Sequence, residues 1–437
     1  MKTYLHALSA IESAGVRAWL VGDSVRDVVM DTPPADLDIA VEPCDLGALA
    51  GSLTTIGAAA GDVLREGLGG VLAPFPVLKT SIDGEKVRIF CITGGSIEDE
   101  LARRDFSINA MAIRSDGSFI DPFRGRHDVR NSLVRLTGDD EELIRSDPIR
   151  IMRMMRFAAE LDMRIFWKSE ACARSFVAKF PTLINIPAER WGREILSGMK
   201  RRPYDFIFMC DKYGLTPFFL NELETLKSVI SEGSGTLFDH TLDTLRIVQE
   251  FLSKRKRREI DMAFSLAALF HHLGSDVNQP SDSTKTSAIV KKYLKAWNAP
   301  AEIVHMTDVT VRSFRIQYRP VSEERYAAYV LKYGAETVEL VADFALCNSR
   351  ADSLKNMDTI AANRQNLAEV VRRFDEAKRK SKGNPHYLSG DDVMHALGLE
   401  PGKAVGEVLN ALGVAVGTGE VSSRQEAVNW VMQHGHQ

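Results

Sequence analysis

Leu20-Val21-Gly22-Asp23-Ser24-Val25-Arg26-Asp27, then eight residues, then Asp36-Leu37-Asp38-Ile39-Ala40-Val41: the reading of this chain turns on these two segments. Val16 to Val21 and Leu37 to Val41 read as short strands, with a helix starting at Ser24. Gly22 permits a backbone that brings amides close to an anion, and a helix N-terminus at the same place favours phosphate. In an extended strand residues i and i+2 point to one face, so Asp36 and Asp38 can grip a hard cation such as Mg²⁺ together. An Asp-x-Asp alone is equally a strand leaving a turn with two solvated acids, so its meaning depends on what lies downstream.

Around this stretch the first 135 residues alternate helix-like and strand-like segments. Tyr4 to Ala14 has helical spacing. Phe75 to Ile82 and Val87 to Ile92 are β-rich and flank the turn signal Asp83-Gly84, while Ser118 to Asp121 and Leu133 to Leu136 close the β-containing part. From Asp139 onward the pattern is almost wholly helical, with Ile149 to Leu161 and a helix started by Pro187 as the clearest examples. Asp276 to Thr286 reads as a loop and Ser381 to His386 as a linker. The fold class expected is α+β: a head with a small mixed β-sheet (1–136), then helical neck (137–202), body (203–380) and tail (381–437).

The 437 residues carry a net charge of −4, which excludes an evenly basic nucleic-acid coat. Between Leu143 and Arg202, however, 13 Lys and Arg stand against 6 Asp and Glu, and Lys254 to Arg258 and Lys378 to Lys382 are short basic clusters. Local positive surface is what phosphate backbones require. No apolar run approaches a membrane span, and the N-terminus does not read as a signal peptide. Five scattered cysteines without a Cys-x-x-Cys suggest neither a zinc site nor a disulfide framework and fit a cytoplasmic protein.

Two further clusters carry chemistry. In Arg103-Arg104-Asp105-Phe106-Ser107-Ile108-Asn109-Ala110-Met111-Ala112, the apolar residues can anchor a frame from which arginine forks onto phosphate and aspartate accepts from ribose hydroxyls. In Arg145-Ser146-Asp147-Pro148-Ile149-Arg150, Asp147 and Arg150 lie one turn apart. They can present an acceptor and a forked donor to the Watson–Crick edge of a base, or simply form an i,i+3 salt bridge.

In this order the motifs resemble the class II tRNA nucleotidyltransferases, a family that includes CCA-adding enzymes and bacterial poly(A) polymerases. Gly22 to Asp27 is similar to the family's Gly-Ser/Gly-x-x-Arg-Asp turn, and Asp36/Asp38 to its catalytic, metal-binding pair. Asp121-Pro122-Phe123 with Gly125 and Asp128 resembles its hinge, Asp147 and Arg150 its Glu-Asp-x-x-Arg motif, and Ala188-Glu189-Arg190-Trp191 a later helix motif. Leu388 to Asp392 and Gly398 to Gly406 resemble its tRNA-contacting tail. The resemblance implies addition of CCA, or of only the terminal A or CC, to tRNA 3′ ends from CTP and ATP, with Mg²⁺ as cofactor and release of pyrophosphate. It implies contact with the tRNA acceptor end and elbow. It further assigns nucleotide binding to Gly22, Arg26, Arg104, Asp105, Asn109, Asp147, Arg150, Arg153 and Arg156.

The chain departs from that pattern at three places. Asp23 stands where the family has Ser or Gly, Arg88 where a strand acid is frequent, and Ser146 replaces Glu and is expected to loosen Arg150. His240-Thr241-Leu242 and Phe270-His271-His272-Leu273-Gly274 resemble a degenerate HD-type body, with His272 in place of the aspartate and both histidines expected to be partly buried helix residues. The alternatives are a poly(A) polymerase, a non-catalytic RNA-binding protein retaining the fold, and a phosphohydrolase dependent on His240 and His271.

Overall fold

The computed structural model describes residues 3–43, 45–55, 61–66, 75–92, 95–179, 185–231, 235–256, 260–275, 283–352 and 355–435. Its contacts group residues 1–194 with 209–215 into one unit and residues 195–208 with 216–437 into a second.

The first unit is built on a seven-stranded mixed sheet. Its strands are β1 (Arg17–Val21), β2 (Leu37–Glu42), β3 (Asp62–Glu66), β4 (Phe75–Ile82), β5 (Glu85–Cys91), β6 (Ala112–Arg114) and β7 (Phe119–Ile120). They lie in the order β3-β4-β5-β2-β1-β6-β7. Only β2 and β5 run parallel, in a register that sets Asp38 beside Arg88. The β4–β5 hairpin turns through Asp83 and Gly84, both with positive φ (52° and 82°), as a two-residue Asp-Gly turn requires. Leu37, Ile39, Ala40 and Val41 of β2 are all buried, so this central strand carries Asp38 into the interior with it.

The expected strands are present, with shifts. Leu133 to Leu136 does not join the main sheet. Its first part, β8 (Leu133–Val134), instead pairs with a strand that the sequence did not announce, β9 (Arg164–Ile165). Strands β3 and β6 were also missed; each is short and lacks a clean alternation of polar and apolar residues. The helix Ile149–Leu161 has the expected bounds, but its burial is wider than its apolar face and takes in Arg150 and Arg153. Cys91 is disulfide-bonded, contrary to the expectation of no bridge, while Cys172, Cys210 and Cys347 are free.

The Asp121-Pro122-Phe123 motif has a local physical role. The Asp121 carboxylate accepts from the backbone N–H of Gly125 (2.6 Å) and Arg126 (3.0 Å), closing the start of the helix Gly125–Arg130. A methyl group on Gly125 would lie 2.2 Å from the Ser107 carbonyl oxygen and 2.7 Å from the Met111 side chain. Gly125→Ala should therefore destabilise the first unit by about 2 kcal/mol, since backbone cannot yield as a flexible side chain does. Urea unfolding checks this, and an unchanged midpoint would refute the packing account.

The second unit is helical. Residues of the helices Glu323–Tyr333, Ala335–Ala351 and Met357–Lys380 share one hydrophobic core with Gly390–Leu397, Lys403–Thr418 and Arg424–His434, including Tyr326, Phe374, Leu388, Val393, Leu412 and Val431. The expected body and tail are thus packed as one body across residue 380. Ser381 to His386 is a bonded turn and not a loose linker: the Ser381 hydroxyl donates to the Ala377 carbonyl, and the Asn384 amide to the Leu388 carbonyl. Ser283 to Thr286, expected as loop, opens the helix Ser283–Ala296; residues 276–282 lie outside the described residues. His271 and His272, expected to be partly buried, are only 4% and 7% exposed. Among the described residues no helix is long and apolar enough to cross a membrane.

Candidate active site

Gly22 ends β1 and caps the helix Asp23–Val29, with φ 74° and ψ −140°, a conformation that favours glycine. Space makes a second demand. A Cβ at this position would lie 3.2 Å from Arg104 Nη1 and 3.7 Å from Asp38 Oδ2. The turn therefore brings bare backbone against both a cation and a carboxylate. Ser24, buried in the first turn of that helix, fixes the start of β2: its hydroxyl donates to the Asp36 carbonyl (3.0 Å) and accepts from the Asp38 N–H (2.9 Å). The helix start and the acidic pair are one bonded unit.

Asp38 is buried (3% exposed), and Asp36 is half-buried just before β2. Arg88 Nε donates to Asp38 Oδ1 at 2.6 Å. Oδ2 makes no hydrogen bond among the described residues and faces Gly22. Burial first, and Asp23 second, push the Asp38 carboxyl up to about 7, while Arg88 and Arg104 pull it the other way. A buried carboxylate so raised, with one oxygen unbonded and a second carboxylate two residues away, is a donor set that fits a hard divalent cation. The Arg88 guanidinium takes the other oxygen, so a cation must share Asp38 with it. Asp23 and Asp36 both act electrostatically on Arg88, which places three acids around one arginine.

The Arg103-to-Asn109 cluster surrounds this corner. Arg26 Nη1 donates to Asn109 Oδ1 at 3.0 Å, while its Nε and Nη2 hold Asp27. Arg104 is buried, donates through Nη2 to Glu100 at 3.2 Å, and has a buried Nε without a hydrogen-bond partner. Its Nη1, beside Gly22, suits an anionic oxygen. Arg103 is exposed and only 3.5 Å from Glu100, outside the site.

Asp105 behaves differently from the expectation. Its Oδ1 accepts from Arg150 Nε at 2.7 Å, and its Oδ2 pairs with Arg153 Nη1. Both oxygens are thus engaged by arginines of the helix Ile149–Leu161, leaving a ribose hydroxyl to compete for an occupied acceptor. Arg153 and Arg156 share Glu194, each through Nε at 2.8 Å, and Arg156 also pairs with Glu160. In this structure these two form a clamp through Nε and Nη1, and their Nη2 groups make no hydrogen bond among the described residues.

Asp147 is 1% exposed. Arg190 donates to its Oδ2 at 2.8 Å, while its buried Oδ1 has no partner. Arg150 donates to the Ser146 hydroxyl at 2.8 Å and to the Leu143 carbonyl. Ser146 therefore holds Arg150, correcting the expectation that losing the family's Glu would loosen it. Asp147 and Arg150 do not pair with each other through their side chains, so the plain salt-bridge alternative fails. Sequence reasoning missed Ser24, Glu100 and Glu194. For Glu194 a signal existed: it lies four residues after Arg190, and an i,i+4 pair shares a helix face.

Residues 73–135 match the Poly A polymerase head domain. Over nearly the whole chain, the CCA-adding enzyme of Streptococcus pyogenes serotype M5 (strain Manfredo) is 25% identical, covering 96% of this chain and 93% of that protein. The chain is thus similar, in its head segment and along nearly its whole length, to members of the tRNA nucleotidyltransferase and poly(A) polymerase family. Another relative, the CCA-adding enzyme of Lacticaseibacillus paracasei (strain ATCC 334), is 27% identical over 94% of this chain and 90% of its own length. The fold agrees with that family. The crystal structure of the Bacillus stearothermophilus CCA-adding enzyme in complex with CTP superposes with a TM-score of 0.62 at 22% identity, covering 99% of this chain and 97% of that one. The Thermotoga maritima CCA-adding enzyme complexed with tRNA gives 0.55 at 18% identity, covering 99% and 94%. The family's head match begins after Asp36 and Asp38, so the acidic pair rests on the geometry above.

Proposed function

We propose that the chain is a template-independent tRNA nucleotidyltransferase that builds the CCA end from CTP and ATP. The observation that carries it is the corner at Gly22. Bare backbone at a helix start, the unbonded oxygen of Asp38 and Nη1 of Arg104 converge there. That set suits a metal-bound triphosphate. The relatives named above, called CCA-adding enzymes, support the same reading.

In the reaction the tRNA 3′-hydroxyl attacks the α-phosphorus. A phosphoester bond forms as the bond to the bridging oxygen breaks, and pyrophosphate leaves with the electron pair. Asp36 and Asp38 would hold Mg²⁺, which when bound supplies Lewis-acid polarisation of the attacking and leaving oxygens. Arg104 offers a forked donor to phosphate, and Arg26 steadies Asn109 beside it. Asp147 Oδ1 offers an acceptor to the exocyclic amino group that cytosine and adenine share. In the four-part division the head (1–136) makes the bond, the neck (137–202) chooses the base, and the body (203–380) and tail (381–437) carry the tRNA. Lys378, Arg379 and Lys380, exposed on the last turn of their helix, suit the RNA backbone.

Purified chain with Mg²⁺ is incubated with tRNA transcripts ending before, within and after CCA, using CTP and ATP singly and together. Addition that stops at CCA is expected. Long adenylate tails on unrelated RNA would establish a poly(A) polymerase instead. Arg88 on Asp38 favours one second reading, an RNA-binding protein without catalysis, and tRNA bound but never extended would establish it.

A further inference from the structure

Three helices of the second unit bring their ends to one buried point. His240 lies in the first turns of the helix Leu237–Ser253, His271 and His272 follow the helix Asp261–Phe270, and Asp352 follows Ala335–Ala351. The histidines are 7%, 4% and 7% exposed, and their donor nitrogens all lie within 4.8 Å of one another. Ring centroids of His271 and His272 are 4.0 Å apart, and that of His240 is 5.5 and 5.1 Å from them. Asp352 Oδ1 reaches to 2.8 Å from His240 Nε2.

We propose that His240, His271, His272 and Asp352 form a site for a zinc-class divalent transition ion, separate from the nucleotide-transfer reaction. The hydrogen-bonding pattern points to a missing ligand. His271 Nδ1 lies 2.8 Å from the Ala268 carbonyl, which fixes the proton on Nδ1 and leaves Nε2 with a free lone pair. That Nε2 is buried and has no partner. His272 Nδ1 and His240 Nδ1 are likewise buried without a hydrogen bond, while His240 Nε2 faces Asp352 Oδ1 at 2.8 Å. Buried unpartnered nitrogens are costly, and a backbone carbonyl on the second ring nitrogen is the usual support of a metal-bound histidine.

The protonation states agree. Burial above all, then the neighbouring imidazoles, hold His271 well below the ordinary histidine range and His272 down to about 3. Arg315 also acts on both, and Asp352 opposes it at His272. Both of these rings, His271 and His272, are held in the neutral form that ligates metal. A four-coordinate ion with Zn–N bonds of about 2.0–2.1 Å needs donors about 3.3 Å apart, which modest side-chain rotation supplies. Three imidazoles and one carboxylate select zinc, nickel or cobalt over Mg²⁺, which prefers oxygen ligands. Asn348 supports the carboxylate: its amide lies 3.5 Å from Asp352 Oδ2 and donates to Tyr318 at 2.8 Å. An ion there would tie three helices together.

The full chain, stripped with a chelator, is loaded with Zn²⁺ or Co²⁺ in the presence of excess Mg²⁺, dialysed and analysed for metal. About one ion per chain should remain. Zinc should raise the melting temperature, and Co²⁺ should give the intense visible bands of a tetrahedral site. His271→Asn and His240→Asn should lose the ion and the melting shift, whereas Asp36→Ala/Asp38→Ala should keep both. Wild-type chain that retains no zinc and shows no cobalt bands would overturn the proposal. So would folded His271→Asn that holds as much zinc as wild type. If the histidine variants do not fold, the wild-type cobalt spectrum decides alone. Failure here leaves the transferase reading intact, because Mg²⁺-dependent nucleotide addition is measured separately.

Discussion

Replacing Asp36 and Asp38 together by alanine should lower nucleotide incorporation into a tRNA lacking CCA about a thousandfold or more. That loss corresponds to about 4 kcal/mol of transition-state stabilisation, which is what a lost metal clamp on a phosphoryl transfer would remove. Affinity for tRNA should change little, since an acidic pair contributes nothing to holding a phosphate backbone. Single-turnover incorporation and a binding assay on the same preparations decide it, and incorporation within tenfold of wild type would sink the assignment. Asp38→Asn supplies a control that misfolding cannot imitate. The Asp38 carboxyl sits at about 7 in the folded chain and at an ordinary aspartate's 3.8 when unfolded, so between those values the folded state binds more protons. Stability of the chelated wild-type chain is therefore present at low pH and falls through that window, by about 1.4 kcal/mol per pH unit from this one group. Asp38→Asn carries no such titration. It should be the more stable chain above pH 7 without Mg²⁺, and the advantage should vanish as pH falls toward 4.

The legible parts of this chain were those in which one short segment carries its own signal. The β4–β5 hairpin announced itself through Asp83-Gly84, and the helix Ile149–Leu161 through its spacing. The Gly22 turn and the Asp36/Asp38 pair were readable because both chemistries depend on neighbours in sequence. What could not be read was which charges meet across sequence distance. Asp105, Arg153 and Glu194 looked like separate polar residues, yet they form a buried chain of ion pairs spanning positions 105 to 194. Such pairing engages Nε and Nη1 of Arg153 and Arg156 and both oxygens of Asp105, which reading along the sequence does not show. Arg88 is the same case in reverse. Its place on β5 was visible, but its contact with Asp38 depends on the parallel register of β2 and β5. The body's histidines were noticed as an altered motif, while Asp352, eighty residues beyond His272, became visible only through three-dimensional proximity.

Base choice gives the second large effect. Asp147 is held through Oδ2 by Arg190 and leaves Oδ1 buried and unpartnered, an acceptor with nothing to accept. Cytosine and adenine each present an exocyclic amino donor where uracil and guanine present a carbonyl. A buried acceptor therefore favours CTP and ATP and repels the other two. Asp147→Asn keeps the shape and can still give its carbonyl oxygen to Arg190, which turns the amide NH₂ toward the position of Oδ1. The site then offers a donor where it had an acceptor. The ratio of CTP to UTP incorporation into a tRNA lacking CCA should fall about a hundredfold, two mismatched hydrogen-bond terms of about 1–3 kcal/mol each being ample for that change. Asp147→Ala should lower use of both nucleotides without inverting the preference, because it removes the acceptor and adds no donor. It also leaves Arg190 without its carboxylate, so its thermal stability must be measured alongside. Equal CTP to UTP ratios in wild type and Asp147→Asn would show that Asp147 serves only to anchor Arg190.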